Sequence, residues 1–134
     1  VIILTNTASQ ELAPGQSLIF NNVILHTGCS ECFRNNSGSV TLGRKNAIYE
    51  ISFDSNIGST TAATPAQLDV MLNNTPLSET TMISTTAAVG DLNHVGAHTG
   101  VQTCCCGPEY ITVTNTGDTT ITVEDPSLFI KRVA

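Results

Sequence analysis

Apolar and polar residues alternate with a period of two along much of this chain. The clearest stretch sets Ala47, Tyr49, Ile51 and Phe53 on one side against Glu50, Ser52 and Asp54 on the other. Successive Cβ atoms of a strand point to opposite faces, so this alternation predicts an interior strand over residues 47–55. The same period recurs near the end of the chain, in Tyr110-Ile-Thr-Val-Thr-Asn-Thr-Gly117 and Thr119-Thr-Ile-Thr-Val-Glu124. The Asn-Thr-Gly-Asp junction supplies residues that tolerate positive φ, which predicts a hairpin across it, followed by a closing strand over 128–133. Residues 1–6 are apolar on both faces, as in a strand covered on both sides.

Short strands are predicted at 17–20 and 23–27, parted by Asn21-Asn22, and again at 40–42, 66–72, 80–88 and 96–106. In the 66–72 segment Leu68, Val70 and Leu72 face inward, and Asn73-Asn-Thr-Pro76 turns the chain. Loops rich in small and polar residues are expected at 28–39 and 58–64. No segment holds a helical period, and the spacing of eight to ten short strands predicts an all-β antiparallel sandwich or barrel in a single domain, 1–134.

Composition supports that picture and narrows the function. One chain of 134 residues makes one core of ordinary size. Charged residues are only 12% of it, against about a quarter in typical domains, and Thr, Ser and Asn supply the polar surface instead. A net charge of -6 argues against nucleic acid as a partner, since Arg34, Arg44, Lys45, Lys131 and Arg132 form no run that would neutralise phosphates. No apolar run approaches the roughly 20 residues of a membrane span, so no membrane insertion is expected. The chain opens at Val1 with no initiator Met or signal peptide, as expected of a mature or trimmed piece.

The order of the pieces resembles a known family. Glu11-Leu-Ala-Pro-Gly-Gln-Ser-Leu-Ile-Phe20 comes first, then Asn46-Ala-Ile-Tyr-Glu-Ile-Ser-Phe53, then Leu68-Asp-Val-Met-Leu-Asn-Asn-Thr-Pro-Leu77, then Thr112-Val-Thr-Asn-Thr-Gly-Asp-Thr-Thr-Ile-Thr-Val123. Together they are similar to the globular C-terminal heads of bacterial collagen-like surface and spore-exosporium glycoproteins, within the wider complement- and tumour-necrosis-factor-like jelly rolls. The resemblance implies a jelly roll of about ten strands that assembles as a homotrimer, often at the tip of a filament, outside the cell on a bacterial or spore surface. It equally implies a similarity to phage fibre heads and capsid decorations, which makes a virion component the first alternative. The chain departs from the family pattern in lacking an upstream Gly-X-Y collagen stalk and in carrying five cysteines.

Trimer contacts are expected at the terminal strands, with Val1, Ile3, Phe129 and Val133 as candidates, because a two-layer sandwich covers only one face of each sheet. The cysteines fall into two clusters, Cys29-Ser-Glu-Cys32 and Cys104-Cys-Cys106. Three readings stand open: disulfides, with the odd thiol joining subunits; a tetrahedral zinc site from Cys29, Cys32, Cys104 and Cys106; or ordinary free thiols, Cys105 among them. His94 and His98 are four apart, with Asp91 nearby, which suits either a polar outward face or a metal or acid–base pair. His26 reads as a surface or subunit-contact residue. The fragments Asn35-Asn-Ser37 and Asn73-Asn-Thr75 match the glycosylation acceptor pattern. No nucleophile motif accompanies these groups, so no catalytic residue or cofactor is expected. The resulting expectation is a non-enzymatic, self-assembling structural domain. A glycan- or receptor-binding module using loops 28–39, 55–64 and 90–100 is the alternative from another class.

Overall fold

A computed structural model describes residues 1–28, 30–105 and 108–134. Two six-stranded antiparallel sheets face each other across one apolar core. The strands are β1 (Ile2–Thr5), β2 (Gln10–Leu12), β3 (Asn22–His26), β4 (Glu31–Phe33), β5 (Val40–Leu42), β6 (Ile48–Ser59), β7 (Pro65–Leu72), β8 (Thr75–Pro76), β9 (Met82–Thr85), β10 (Asn93–Gln102), β11 (Glu109–Asn115) and β12 (Ile121–Arg132), with a short 3-10 turn at Ser78–Thr80. The first sheet runs β10-β6-β12-β1-β3, with β2 also paired to β12; the second runs β4-β5-β11-β7-β8, with β9 paired to β7.

The period-two pattern builds the core directly. Tyr49, Ile51, Phe53 and Ile57 of β6, Ile121, Val123, Leu128 and Ile130 of β12, and Ile2 and Leu4 of β1 are buried against Val40, Leu42, Leu68, Val70, Ile111 and Val113 of the other sheet. Leu18 and Phe20 are buried too, but 17–20 is not a ladder strand. It touches the sheet through single bridges from Ser17 to Thr114 and from Phe20 to Ser37. The Asn73-Asn74 turn is a two-residue hairpin with both φ angles positive, 51° and 65°, between the paired residues Leu72 and Thr75. Paired positive φ is what lets so short a turn match the twist of its strands, and Asn tolerates it.

The expected terminal hairpin is absent. β11 pairs with β5 and β7, whereas β12 pairs with β1, β2 and β6 in the opposite sheet, so 116–120 carries the chain across the sandwich. Asn115 secures this crossing: fully buried, it donates to the carbonyls of Leu12 (2.9 Å) and Thr119 (2.8 Å) and accepts from the Gly117 N–H (3.0 Å). The predicted break between 124 and 128 is likewise a bulge inside one long strand. Asp125 takes φ 52° and the pairing with β6 slips between Glu124 and Ser127, after which the ladder resumes. The loops expected at 58–64 and 90–100 are shorter than predicted, because β6 runs on to Ser59 and β10 begins at Asn93.

Candidate assembly face

The outward side of the first sheet is covered by no other part of the described chain, and the strand registers place its residues in rows. One row crosses five of its six strands: Leu25 of β3 pairs with Ile3, Ile3 with Phe129, Phe129 with Ser52, and Ser52 with His98 of β10. Its neighbours run Thr5, Ser127, Asp54, Gly96 on one side and Lys131, Glu50, Gly100 on the other. A further row holds Glu124, Asn56 and His94. The face is therefore apolar at the β3–β1–β12 end and polar at the β6–β10 end.

At the apolar end β3 leaves Val23, Ile24 and Leu25 exposed by 41%, 60% and 41%, although alternation alone would bury part of that set. The reason is its place at the rim of the sheet together with a register slip between Ile3 and Leu4. Ile3 and Phe129, two of the expected contact residues, are half-buried partners in the middle of this patch. Val1 and Val133 lie instead at the pole where both strands meet the chain ends. The Val1 nitrogen bonds the Thr27 carbonyl (2.8 Å), and the Val133 N–H bonds the Ile48 carbonyl (2.8 Å).

At the polar end a groove of ≈ 460 Å³ opens between β10 and β12, lined by Asp54, Gly96, Ala97, Ser127, Phe129 and the two histidines. Gly96 shapes its floor: a Cβ there would sit 3.4 Å from the Phe53 carbonyl oxygen and 3.5 Å from the Asp54 Cβ. His98 Nε2 lies 2.9 Å from Glu50 Oε1, and His94 Nδ1 lies 3.1 Å from Asn56 Oδ1. The two rings therefore bond β6 partners on either side of Asp54. Among the described residues no three His, Cys, Asp or Glu side chains gather as metal ligands. His26, exposed at the end of β3, bonds the Glu31 carbonyl through Nε2 at 2.8 Å.

Loop 43–47 bonds both segments that carry the described cysteines. The Ser30 carbonyl accepts from the Gly43 N–H (2.8 Å) and the Tyr49 hydroxyl (3.0 Å), while the Cys104 carbonyl accepts from the Asn46 N–H (3.4 Å). The Thr103 hydroxyl adds a bond to the Arg44 carbonyl (2.6 Å). Loop 43–47 thus touches Ser30 on one side and Thr103 and Cys104 on the other. Cys32, Cys104 and Cys105 are solvent-exposed there. Cys29 and Cys106 lie outside the described residues, so the four-cysteine zinc set and any disulfide through them do too.

Beneath this pole Glu31 is buried, accepting from the Val1 nitrogen and the Arg132 backbone N–H, both at 3.2 Å. Tyr49, also buried, receives the Arg44 N–H at 3.3 Å. Burial pushes its phenol above the ordinary value, and the Glu31 carboxylate adds to the effect, against the opposing hydrogen bonds from Arg44 and to Ser30. Neither buried group was legible as a site, because an isolated Glu or Tyr in a strand pattern carries no signal of its partners.

The two facing antiparallel sheets form a jelly roll like those of complement- and tumour-necrosis-factor-like domains. The zebrafish complement 1qA globular domain superposes with a TM-score of 0.63 at 11% identity, covering 96% of this chain and 94% of that one. Murine APRIL gives 0.62 at 12% identity over 97% and 98% of the two chains. The PRD1 vertex protein gives 0.51 at 12% identity over 95% and 93%. At such identities the likeness is one of fold. No family model and no curated protein matches the chain by sequence. Among the described residues no helix is long and apolar enough to cross a membrane.

Proposed function

We propose that this chain is a non-enzymatic, self-assembling structural domain that closes into a homotrimer through the outward face of its first sheet. The observation that carries the reading is the row Leu25, Ile3, Phe129, Ser52, His98, apolar at one end and polar at the other. A cyclic trimer joins different patches of neighbouring copies, so the two ends of a face need not be alike. Stable interfaces bury about 800 Å² per partner, and apolar area contributes about 25 cal/mol per Å². Leu25 of β3 together with Ile3 and Phe129 is the natural centre of such a contact.

Within this reading the domain is a head or building block of a bacterial cell- or spore-surface appendage, working outside the cell with an optional collagen-like stalk. The exposed thiols support covalent reinforcement, and their place at a pole points to links between stacked heads. A second reading, a virion component, is supported by the fold shared with the PRD1 vertex protein; locating the chain in its intact source particle separates the two. Light scattering with and without reductant tests the assembly itself. A native mass of three 14.1 kDa chains that persists in reductant is the expected result, with larger species only on oxidation. A monomer under both conditions would overturn it.

A further inference from the structure

Away from the assembly face, the second sheet holds one hydroxyl between a carboxylate and a carboxamide. Gln67 and Asp69 stand two apart on β7, so their side chains leave the same side of the strand. The chain just past β11 lies opposite Gln67. There the Thr116 N–H bonds the Gln67 main-chain carbonyl at 3.3 Å, and Gln67 Nε2 lies 3.0 Å from Thr116 Oγ1. The electrophilic Cδ of the carboxamide is one bond beyond that nitrogen. The Thr116 hydroxyl itself donates to Asp69 Oδ2 at 2.5 Å. Asp69 is sealed from water, and the Thr81 hydroxyl holds its Oδ1, which fixes the carboxylate with Oδ2 toward Thr116. Gln67 is half-buried and lines a cleft of ≈ 210 Å³ with Thr64, Gly117 and Thr119. A hydroxyl bonded to a carboxylate and set against an acyl group is the arrangement of nucleophile and base that acyl transfer needs.

We infer that Thr116 and Gln67 join through an intramolecular ester, with Asp69 carrying the proton. The Thr116 Oγ1–Gln67 Cδ bond forms as Asp69 takes the hydroxyl proton. The Cδ–Nε2 bond then breaks as Asp69 returns that proton to the nitrogen, and ammonia leaves by the cleft. No other reactant is consumed. Asp69 is neutral while the tetrahedral oxyanion exists, so the two never repel as like charges. The Thr64 and Thr119 hydroxyls, each on a long 3.2 Å bond to a carbonyl, line the same cleft and can turn to the oxyanion. An amide is a poor acyl donor, but groups held in reacting geometry gain effective molarities of about 10⁵ M or more. Loss of ammonia to solvent draws the step forward. It happens once per chain, without turnover, and ties β7 to the 116–120 crossing between the sheets.

The test is the intact mass of the full chain, purified in reductant and held at neutral pH, with tandem mass spectrometry of a digest. The expected mass is that of the sequence less one ammonia, the loss mapping to peptides joined between Gln67 and Thr116 and released by hydroxylamine. Thr116→Val, Gln67→Glu and Asp69→Asn are expected at full sequence mass. Gln67→Glu keeps the size and shape of the side chain, so it decides the matter where circular dichroism shows another variant to be unfolded. A wild-type chain at full sequence mass overturns the ester. So does an ammonia loss that persists in Thr116→Val, which marks a succinimide at an asparagine instead. Neither result bears on the trimer, which light scattering judges separately.

Discussion

Asp69 is sealed within the second sheet, 2% exposed, with its carboxylate oxygens accepting from the hydroxyls of Thr81 and Thr116. Replacing it with Ala removes both bonds, one from exposed Thr81 and one from half-buried Thr116, and hydrogen bonds to a charged acceptor are worth about 1.5–3 kcal/mol. Urea unfolding of Asp69→Ala should show a loss in that range, and a loss below about 0.5 kcal/mol would mean that water replaces the carboxylate. Tyr49 sets an alkaline limit. Because burial raises its folded-state pKa, its share of stability is intact below the unfolded value near 10 and is lost as pH climbs through the folded one. Thermal melts of the wild type should decline above about pH 10, and Tyr49→Phe should decline less steeply from a lower starting point. Sequence alone reached neither residue's role. Thr112 and Thr114 lie opposite Ile111 and Val113 in the strand alternation, yet they too are buried, 8% and 5% exposed. A hydroxyl satisfied by a neighbour can be buried, and the neighbour is supplied by tertiary structure.

At the scale of strands, alternation proved a reliable guide to which residues face the core and a poor guide to which sheet a strand joins. The face of β6 was legible residue by residue, and so was the Asn73-Asn74 turn. The sheet exchange between β11 and β12 was not, because a short turn-like junction looks the same whether the chain folds back or crosses over; Asn115 decides it through bonds to Leu12 and Thr119, the first more than 100 residues away. Asp125-Pro126 read as a strand end for a similar reason, since a bulge and a terminus use the same residue types. A close approach between elements yields a sharper prediction. A Cβ on Gly58 of β6 would lie 2.1 Å from the Asp91 carbonyl oxygen just ahead of β10. Gly58→Ala must displace backbone there, and overpacking of this kind costs about 1–3 kcal/mol. Its melting temperature should drop by several degrees, whereas Gly100→Ala, whose nearest neighbour lies at 3.7 Å, should melt close to wild type.

For the whole molecule, the terminal strands were expected to carry the subunit contacts. Ile3 and Phe129 do stand together on the uncovered face, while Val1 and Val133 sit at the pole. The groove, the two histidines and the rim residues of β3 complete that face, and they emerge only when five strands distant in sequence are laid side by side. The bonds of loop 43–47 to Ser30 on one side and to Thr103 and Cys104 on the other were likewise not legible in spacing, because they join segments of opposite sheets. The central claim is that this face joins subunits, and Phe129→Glu tests it most directly. The substitution places a carboxylate in the middle of the patch without entering the core. Light scattering in reductant should give a trimer for the wild type and a monomer for Phe129→Glu, with circular dichroism showing the same β fold in both. A wild-type monomer, or a Phe129→Glu trimer as tight as the wild type, would contradict the account.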